Sequence, residues 1–270
     1  MIESCRLGFV GAGNMGGALI AGLLAAGRVR PDSLTAVDPS EAALAPLRRL
    51  GVGVGTQPEM AVHGQDVVVL AVKPQVAPSV LAQIGPELAA GQLVISLMAG
   101  ISTARLEAGL GREAPVVRAM PQTLARLGVA ASALCAGRHA TPEQLALARA
   151  LLEQVGRTVV VREEQMDAVT GLSGSGPGYI YLVVEAMIDA GVRVGLPRDV
   201  ARELVAQTVA GAARMVQESG LHPAVLRDQV TSPGGTTIAG LHVLEEKGLR
   251  DALMSAVQAA AERAAELGSL

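Results

Sequence analysis

A chain of 270 residues suits two modest domains better than one large one. Half of it is apolar, 17% is charged and its mean hydropathy is +0.40, which excludes disorder; with aromatic residues at only 1%, Leu, Val, Ala and Ile must fill the core. A formal charge of -3, a pI near 5.9 and the lack of a long basic run exclude the electrostatic footprint of a nucleic-acid binder, and no apolar run approaches the ~18 residues of a membrane span.

The N-terminus enters directly into a strand-like run instead of a signal peptide, so a cytoplasmic protein is expected. Cys5 and Cys135 are too few and too far apart for a disulfide framework, and no Cys or His stands near them at metal-ligand spacing. Both read as small buried hydrophobes, and no metal is expected.

Short apolar runs then alternate with helical stretches up to about residue 162, as in a parallel sheet wrapped by crossover helices. The strands are expected at Arg6 to Val10, Leu34 to Val37, Val67 to Val72, Leu93 to Leu97 and Val116 to Met120, with weaker ones at Val129 to Leu134 and Thr158 to Val161. Helices are expected near Met15 to Ala26, Glu41 to Leu50, Val76 to Ile84, Thr103 to Ala108 and Pro142 to Val155. The last has Thr141 as its cap and Pro142 at its first position.

The first strand ends in Gly11-Ala12-Gly13-Asn14-Met15-Gly16, a GxGxxG run between a strand and a helix. In that context the first glycine permits the tight turn, the second admits a pyrophosphate to the backbone, and the third lets helix and strand pack closely. The pattern predicts a Rossmann-type dinucleotide-binding domain. Asp38 closes the second strand 22 residues after Gly16, near the offset at which an acid accepts hydrogen bonds from an adenosine ribose. This argues for NADH, although Ser40 leaves a phosphate contact open and Asp38 also suits a helix cap. Further on, Lys73, one of two lysines in the chain, stands with Val72 at the carboxyl end of a strand, where doubly wound sheets bind ligands. The small residues around Ala99 would let a flat nicotinamide approach the backbone.

From about Glu163 no strand-like run recurs, and a second, all-helical domain is expected over residues 163–270. Tyr179 to Val194 is apolar almost all round, apart from a stripe of Glu185, Asp189 and Arg193. About a hundred residues can hardly bury such a helix, so two copies are expected to pair; a monomeric bundle is the alternative. Two glycine-rich segments here, Gly171 to Tyr179 and Thr231 to Thr237, each lead into a helix. At the second, free N–H groups with the hydroxyls of Ser232, Thr236 and Thr237 would hold a small carboxylate without any arginine. An ordinary interhelical turn is the plainer reading. His63, His139, His222 and His242 are scattered and read as structural, so the chemistry is expected to belong to the cofactor, as hydride transfer.

The segments GFVGAGNMGGAL, LAVKPQ, SLMAGIS, GLSGSGPGY and above all DQVTSPGGTTIAGLHVLEEKGLR together closely resemble the pyrroline-5-carboxylate reductases, over nearly the whole chain. The resemblance implies reduction of the cyclic imine 1-pyrroline-5-carboxylate to L-proline with NADPH or NADH, the last step of proline biosynthesis. It also implies an N-terminal Rossmann domain over residues 1–162, a helical dimerisation domain over 163–270, and active sites where the two meet across subunits. A homodimer follows, with a larger assembly of dimers such as a decamer left open.

Carried onto this chain, the family pattern makes Gly11, Ala12, Gly13, Asn14, Met15, Gly16, Asp38, Ser40, Val72, Lys73 and Ala99 the cofactor side. Ser232, Gly234, Gly235, Thr236 and Thr237 become the substrate side, with the Thr237 hydroxyl on the ring nitrogen as the catalytic contact. Gln122 replaces an Asn of the family's RxMPNTP, Leu124 replaces its second Pro, and Gln229 replaces an Asn, so Gln122 and Gln229 receive no role. Two rivals stand beside this reading. A β-hydroxyacid-dehydrogenase-like enzyme would need a lysine early in the second domain, where none occurs between Lys73 and Lys247. A nonenzymatic NAD(P)-sensing dimer would bind cofactor without imine-dependent oxidation.

Overall fold

Near-continuous apolarity commits the first half of the chain to buried strands, and the computed structural model, which describes residues 2–269, gives them as one sheet of eight. In chain order the elements are β1 (Leu7–Val10), α1 (Asn14–Ala25), β2 (Leu34–Val37), α2 (Glu41–Arg49), β3 (Gly53–Gly55), β4 (Val67–Leu70), α3 (Ala77–Ile84), β5 (Leu93–Ser96) and α4 (Thr103–Leu110). There follow β6 (Val116–Met120), β7 (Ala130–Ala136), α5 (Pro142–Glu153), β8 (Gly156–Val160) and a short α6 (Met166–Val169). Short 3-10 turns join several of them. A single π turn over Thr170–Gly174 precedes the long helices α7 (Gly176–Arg193), α8 (Arg198–Ser219), α9 (Pro223–Gln229), α10 (Thr236–Glu246) and α11 (Leu249–Ser269).

The sheet order is β3-β2-β1-β4-β5-β6-β7-β8. The chain runs outward from β1 to β3 and then returns to β4 on the other side of β1, so the strand order reverses between β1 and β4. Side chains alternate across the sheet: Val67, Val69, Leu93 and Ile95 pack under α1, α2 and α5, while Val68, Leu70 and Val94 pack under α3 and α4. Each face thus has its own core, and Phe9, fully buried, belongs to the first.

Two features differ from the expected all-parallel sheet. Strand β7 runs antiparallel to β6, with Arg118 opposite Cys135. Only a 3-10 turn, Thr123–Leu127, joins them, and a parallel return would need a crossover of a dozen or more residues. Strand β3, which has no apolar run to announce it, adds to the far edge beside β2. The expected strands beginning at Arg6 and ending at Val72 and Leu97 are shorter, at Leu7, Leu70 and Ser96; Thr158 to Val161 is found at Gly156–Val160. The Thr141 cap forms, with a reciprocal bond from Gln144.

By packing, the chain forms two compact units: residues up to Gly174 together with those from Ala259 onward, and Ser175–Gln258. In the second unit α7 packs on α8, yet no residue of α7 is buried, and of α8 only Ala201 and Val205 are. Leu182 is 67% exposed and Met254 73%, an apolar surface that a lone helical unit cannot cover. No described helix is long and apolar enough to cross a membrane.

In the first unit, the guanidinium of Arg118, its side chain only 5% exposed, donates to Glu163 Oε1 at 2.7 Å and to Asp167 Oδ1 at 3.4 Å, tying β6 to the segment that follows β8. Burial works to raise the Glu163 carboxyl, but the hydrogen bonds and charge of Arg118, with Thr103 and Cys135, outweigh it and hold the group below the ordinary range. Burial, with Glu163 beside it, pushes the Cys135 thiol up to about 12, and burial raises Cys5 to about 11; both are free and inert. A depressed folded-state carboxyl contributes stability above its unfolded value near 4.3 and loses it as pH falls through the folded value. Glu163→Ala should therefore destabilise the protein by about 1–3 kcal/mol at pH 7 in urea unfolding, through loss of a charged hydrogen bond. The gap from the unsubstituted protein should narrow as pH falls from about 5 to 3. A gap that does not change with pH would show that the ion pair contributes nothing.

Candidate active site

The carboxyl ends of β2, β1, β4 and β5 lie side by side, and the strand reversal between β1 and β4 opens the crevice in which doubly wound sheets bind ligands. The glycine loop lines it. Gly11 has φ +102°, and a Cβ there would lie 2.6 Å from the carbonyl oxygen of Ala71, so the turn requires glycine. A Cβ on Gly16 would stand 2.2 Å from Gly11 O, where helix meets strand. Gly13 differs: an added Cβ would meet nothing within 4 Å. At Gly13 the loop therefore presents bare backbone to open space, directly before α1, whose first turn carries no acidic residue and whose start has no side-chain cap. Such a cradle fits the pyrophosphate of a dinucleotide.

Asp38 ties this loop to the next. Its Oδ2 accepts the N–H of Ala12 at 2.8 Å and its Oδ1 accepts the N–H of Ser40 at 2.9 Å. Ser40 stands before α2 with no side-chain cap bond, leaving its hydroxyl available. Across β1, the half-buried Val72 packs on the second core, and Lys73 follows it, exposed, at the end of β4. Beyond β5, Ala99 is half-buried, and the neighbouring Gly100 at φ +75° lies against the end of α11, where a Cβ would meet Gly268 N at 3.0 Å. The predicted cofactor-side residues Gly11, Ala12, Gly13, Asn14, Met15, Gly16, Asp38, Ser40, Val72, Lys73 and Ala99 thus sit on four adjacent strand ends and the loops that follow them.

The second unit holds the other predicted cluster. Gly234, at φ +66°, makes the turn before α10; the Gly235 N–H donates to Ser232 O at 3.1 Å, and the Ser232 hydroxyl lies where a side chain on Gly235 would be. Gly235 precedes α10 in extended geometry without a side-chain cap, so the first N–H groups of the helix have no partner from a capping side chain. Thr236 is exposed and Thr237 half-buried. A cavity of about 630 Å³ opens beside this turn, lined by Arg227, Thr231, Gly234, Gly235, His242 and Glu245. N–H groups, a helix dipole and three hydroxyls with no strong base among them can bind a small carboxylate and donate one hydrogen bond beside it.

The histidines fall as expected in two cases: His63 pairs with Glu87 at 2.6 Å, and His222 Nδ1 caps α9 by accepting the N–H of Ala224. His242, expected to be structural, lines the cavity beside Gly234 and Gly235; its place seven residues after Gly235, on the same face of α10, is the signal for it. Gln122 also has a structural part to play. Its Oε1 accepts the N–H of Ala131 at 3.0 Å and its Nε2 donates to Ser173 O, fastening the π turn. Among the described residues no cluster of His, Cys, Asp and Glu is disposed to hold a metal.

Two family models match the chain: pyrroline-5-carboxylate reductase dimerisation over residues 163–267, and NADP oxidoreductase coenzyme F420-dependent over residues 6–100. A pyrroline-5-carboxylate reductase of Methanosarcina acetivorans is 47% identical, covering 99% of each chain, and one of Arabidopsis thaliana is 44% identical over 98% of this chain and 96% of its own. Among solved structures, a Plasmodium falciparum pyrroline carboxylate reductase with NADP bound superimposes with a TM-score of 0.91 at 34% identity, over 99% of this chain and 100% of that one.

The contrast between two loop glycines is measurable. Gly16→Ala should lose about 1–3 kcal/mol in urea unfolding, because its methyl group meets backbone. Gly13→Ala should unfold within about 0.5 kcal/mol of the unsubstituted protein. Equal losses in the two variants would mean that Gly13 does not face open space.

Proposed function

We infer that this chain, which belongs to the pyrroline-5-carboxylate reductase family, reduces 1-pyrroline-5-carboxylate to L-proline as an NAD(P)H-dependent oxidoreductase, the last step of proline biosynthesis. The reading is carried by whole-chain similarity to reductases of that name, and the uncapped Ser232–Thr237 turn supplies the chemistry it needs. When bound, the reduced nicotinamide supplies the hydride. The imine C5 gains that hydride and the ring nitrogen ends with a proton, so the substrate is reduced as the dinucleotide is oxidised.

The division of labour follows the residues. By sequence we assign residues 1–162 to the dinucleotide domain and 163–270 to the substrate and dimerisation domain, a boundary supported by the family match that begins at 163, while residues 163–174 and those from Ala259 pack with the sheet-bearing unit. The N–H groups and empty first turn of α1 hold the pyrophosphate, Asp38 and Ser40 meet the adenosine ribose, and Val72, Lys73 and Ala99 bound the rest of the cleft. The N–H groups of Gly235, Thr236 and the following turn of α10 hold the substrate carboxylate, with Ser232 and Gly234 shaping the approach. The Thr237 hydroxyl accepts or donates a hydrogen bond at the ring nitrogen and so orients C5. No general base is required, because the electrophile can arrive already protonated.

The protein is a homo-oligomer, and the bare apolar faces of α7 and α8 support a homodimer built through the helical unit, with assembly of dimers up to a decamer a further step. It acts in the cytoplasm, where two free, buried thiols are at home.

Thr237→Ala should lower kcat/KM for the imine by about 10 to 100-fold, or about 1.4 to 2.7 kcal/mol, in the absorbance assay of reduced nicotinamide. Unchanged kinetics would remove Thr237 from the mechanism. Failure of the unsubstituted protein to oxidise either dinucleotide in the presence of the imine would overturn the reading itself.

A further inference from the structure

We propose that Asp38 makes this protein discriminate against a 2′-phosphate, so that NADH is bound more tightly than NADPH. The inference rests on the dinucleotide reading of the first unit and adds a direction to it.

The carboxylate of Asp38 is held in place. One oxygen is held by the Ala12 N–H at 2.8 Å and the other by the Ser40 N–H at 2.9 Å, while the backbone N–H of Asp38 itself donates to Gly55 O at 3.1 Å. Asp38 therefore cannot swing aside. Its negative charge is locked between the glycine loop and the start of α2, at the strand end where doubly wound folds read the adenosine ribose. Each carboxylate oxygen has a further lone pair, so the fixed group can accept hydrogen bonds from ribose hydroxyls without any rearrangement.

A 2′-phosphate meets the opposite conditions. It brings about two negative charges at neutral pH and no strong donor. The Ser40 N–H, a natural donor to it, is already engaged by Asp38. The guanidinium that reaches the start of α2 is that of Arg48, and it is paired with Glu41, whose carboxyl the Arg48 bond holds below the ordinary range. Lys73 stands at the end of β4, on the far side of β1. What remains is the Ser40 hydroxyl with the first, uncapped N–H groups of α2, neutral donors against a fixed carboxylate, and the exposed Arg126 elsewhere on the cleft between α1 and α2. Repulsion between charges a few ångströms apart in a partly desolvated cleft exceeds what a few neutral hydrogen bonds return.

The test uses the full-length protein and two pairs of ligands. Binding of ADP-ribose and of 2′-phospho-ADP-ribose is measured by calorimetry, and that of NADH and NADPH by nicotinamide fluorescence. The unsubstituted protein should bind the unphosphorylated member of each pair about tenfold or more tightly. Asp38→Asn keeps the shape and one backbone bond but removes the charge; it should narrow the ratio by about tenfold, even if both ligands weaken as the loop loosens. Equal or tighter binding of the 2′-phosphorylated ligands by the unsubstituted protein would overturn the proposal, whether or not the variant folds. So would an Asp38→Asn protein in which both ligands weaken equally. These measurements involve no imine, so the absence of reductase activity would count against the proposed function and leave this comparison intact.

Discussion

A single carboxylate holds together the part of the molecule on which everything else depends. Asp38 takes one N–H from the glycine loop and one from the start of α2, so that the loops after β1 and β2 form one continuous rim. On the other side of β1, glycine at position 11 lets that loop come against the backbone of Ala71. These two ties, one polar and one steric, fix the crevice at the strand reversal. With the rim fixed, bare backbone at Gly13 and an uncapped, acid-free start of α1 have the form of an anion-binding surface.

The binding proposed for the two units follows the same physical logic with different partners. Neither cluster relies on a buried cation: the described guanidiniums are mostly paired with carboxylates, and Arg118 is engaged by Glu163 and Asp167 within the first unit. In the proposed reading, negative groups are instead met by backbone N–H at helix starts, where the peptide dipoles are already oriented before a ligand arrives. Preorganised dipoles need little reorganisation, which suits a reaction whose electrons come from a cofactor and whose substrate is a small acid.

Much of this was legible in the sequence, and the reasons divide by distance along the chain. Strands buried on both faces are written as unbroken Val, Leu and Ile, so β1, β2, β4, β5 and β6 could be found from local pattern alone. Strand β3 could not, because Gly53–Gly55 adds to an edge by register with β2 and has no apolar run of its own. The reversed direction of β7 was hidden for a related reason: strand composition carries no sign of direction, and only the shortness of the Thr123–Leu127 link gives it away. The candidate site residues are those that motif, spacing and the family resemblance single out. What those side chains do for the backbone was not legible: the bond from Ala12 to Asp38 spans 26 residues, and Gln122 reaches Ser173 across 51. Such ties exist only once the sheet has brought the loops together.

The route of the chain has one more consequence. The helical unit, Ser175–Gln258, is an insertion: the polypeptide leaves the sheet-bearing unit once and re-enters it, and the last turns of α11 complete that unit, with Ala264 buried and Gly268 accepting from Arg105 against the Gly100 turn. No single cut yields both parts whole. Expressing residues 1–174 alone would leave the nucleotide half missing its closing piece.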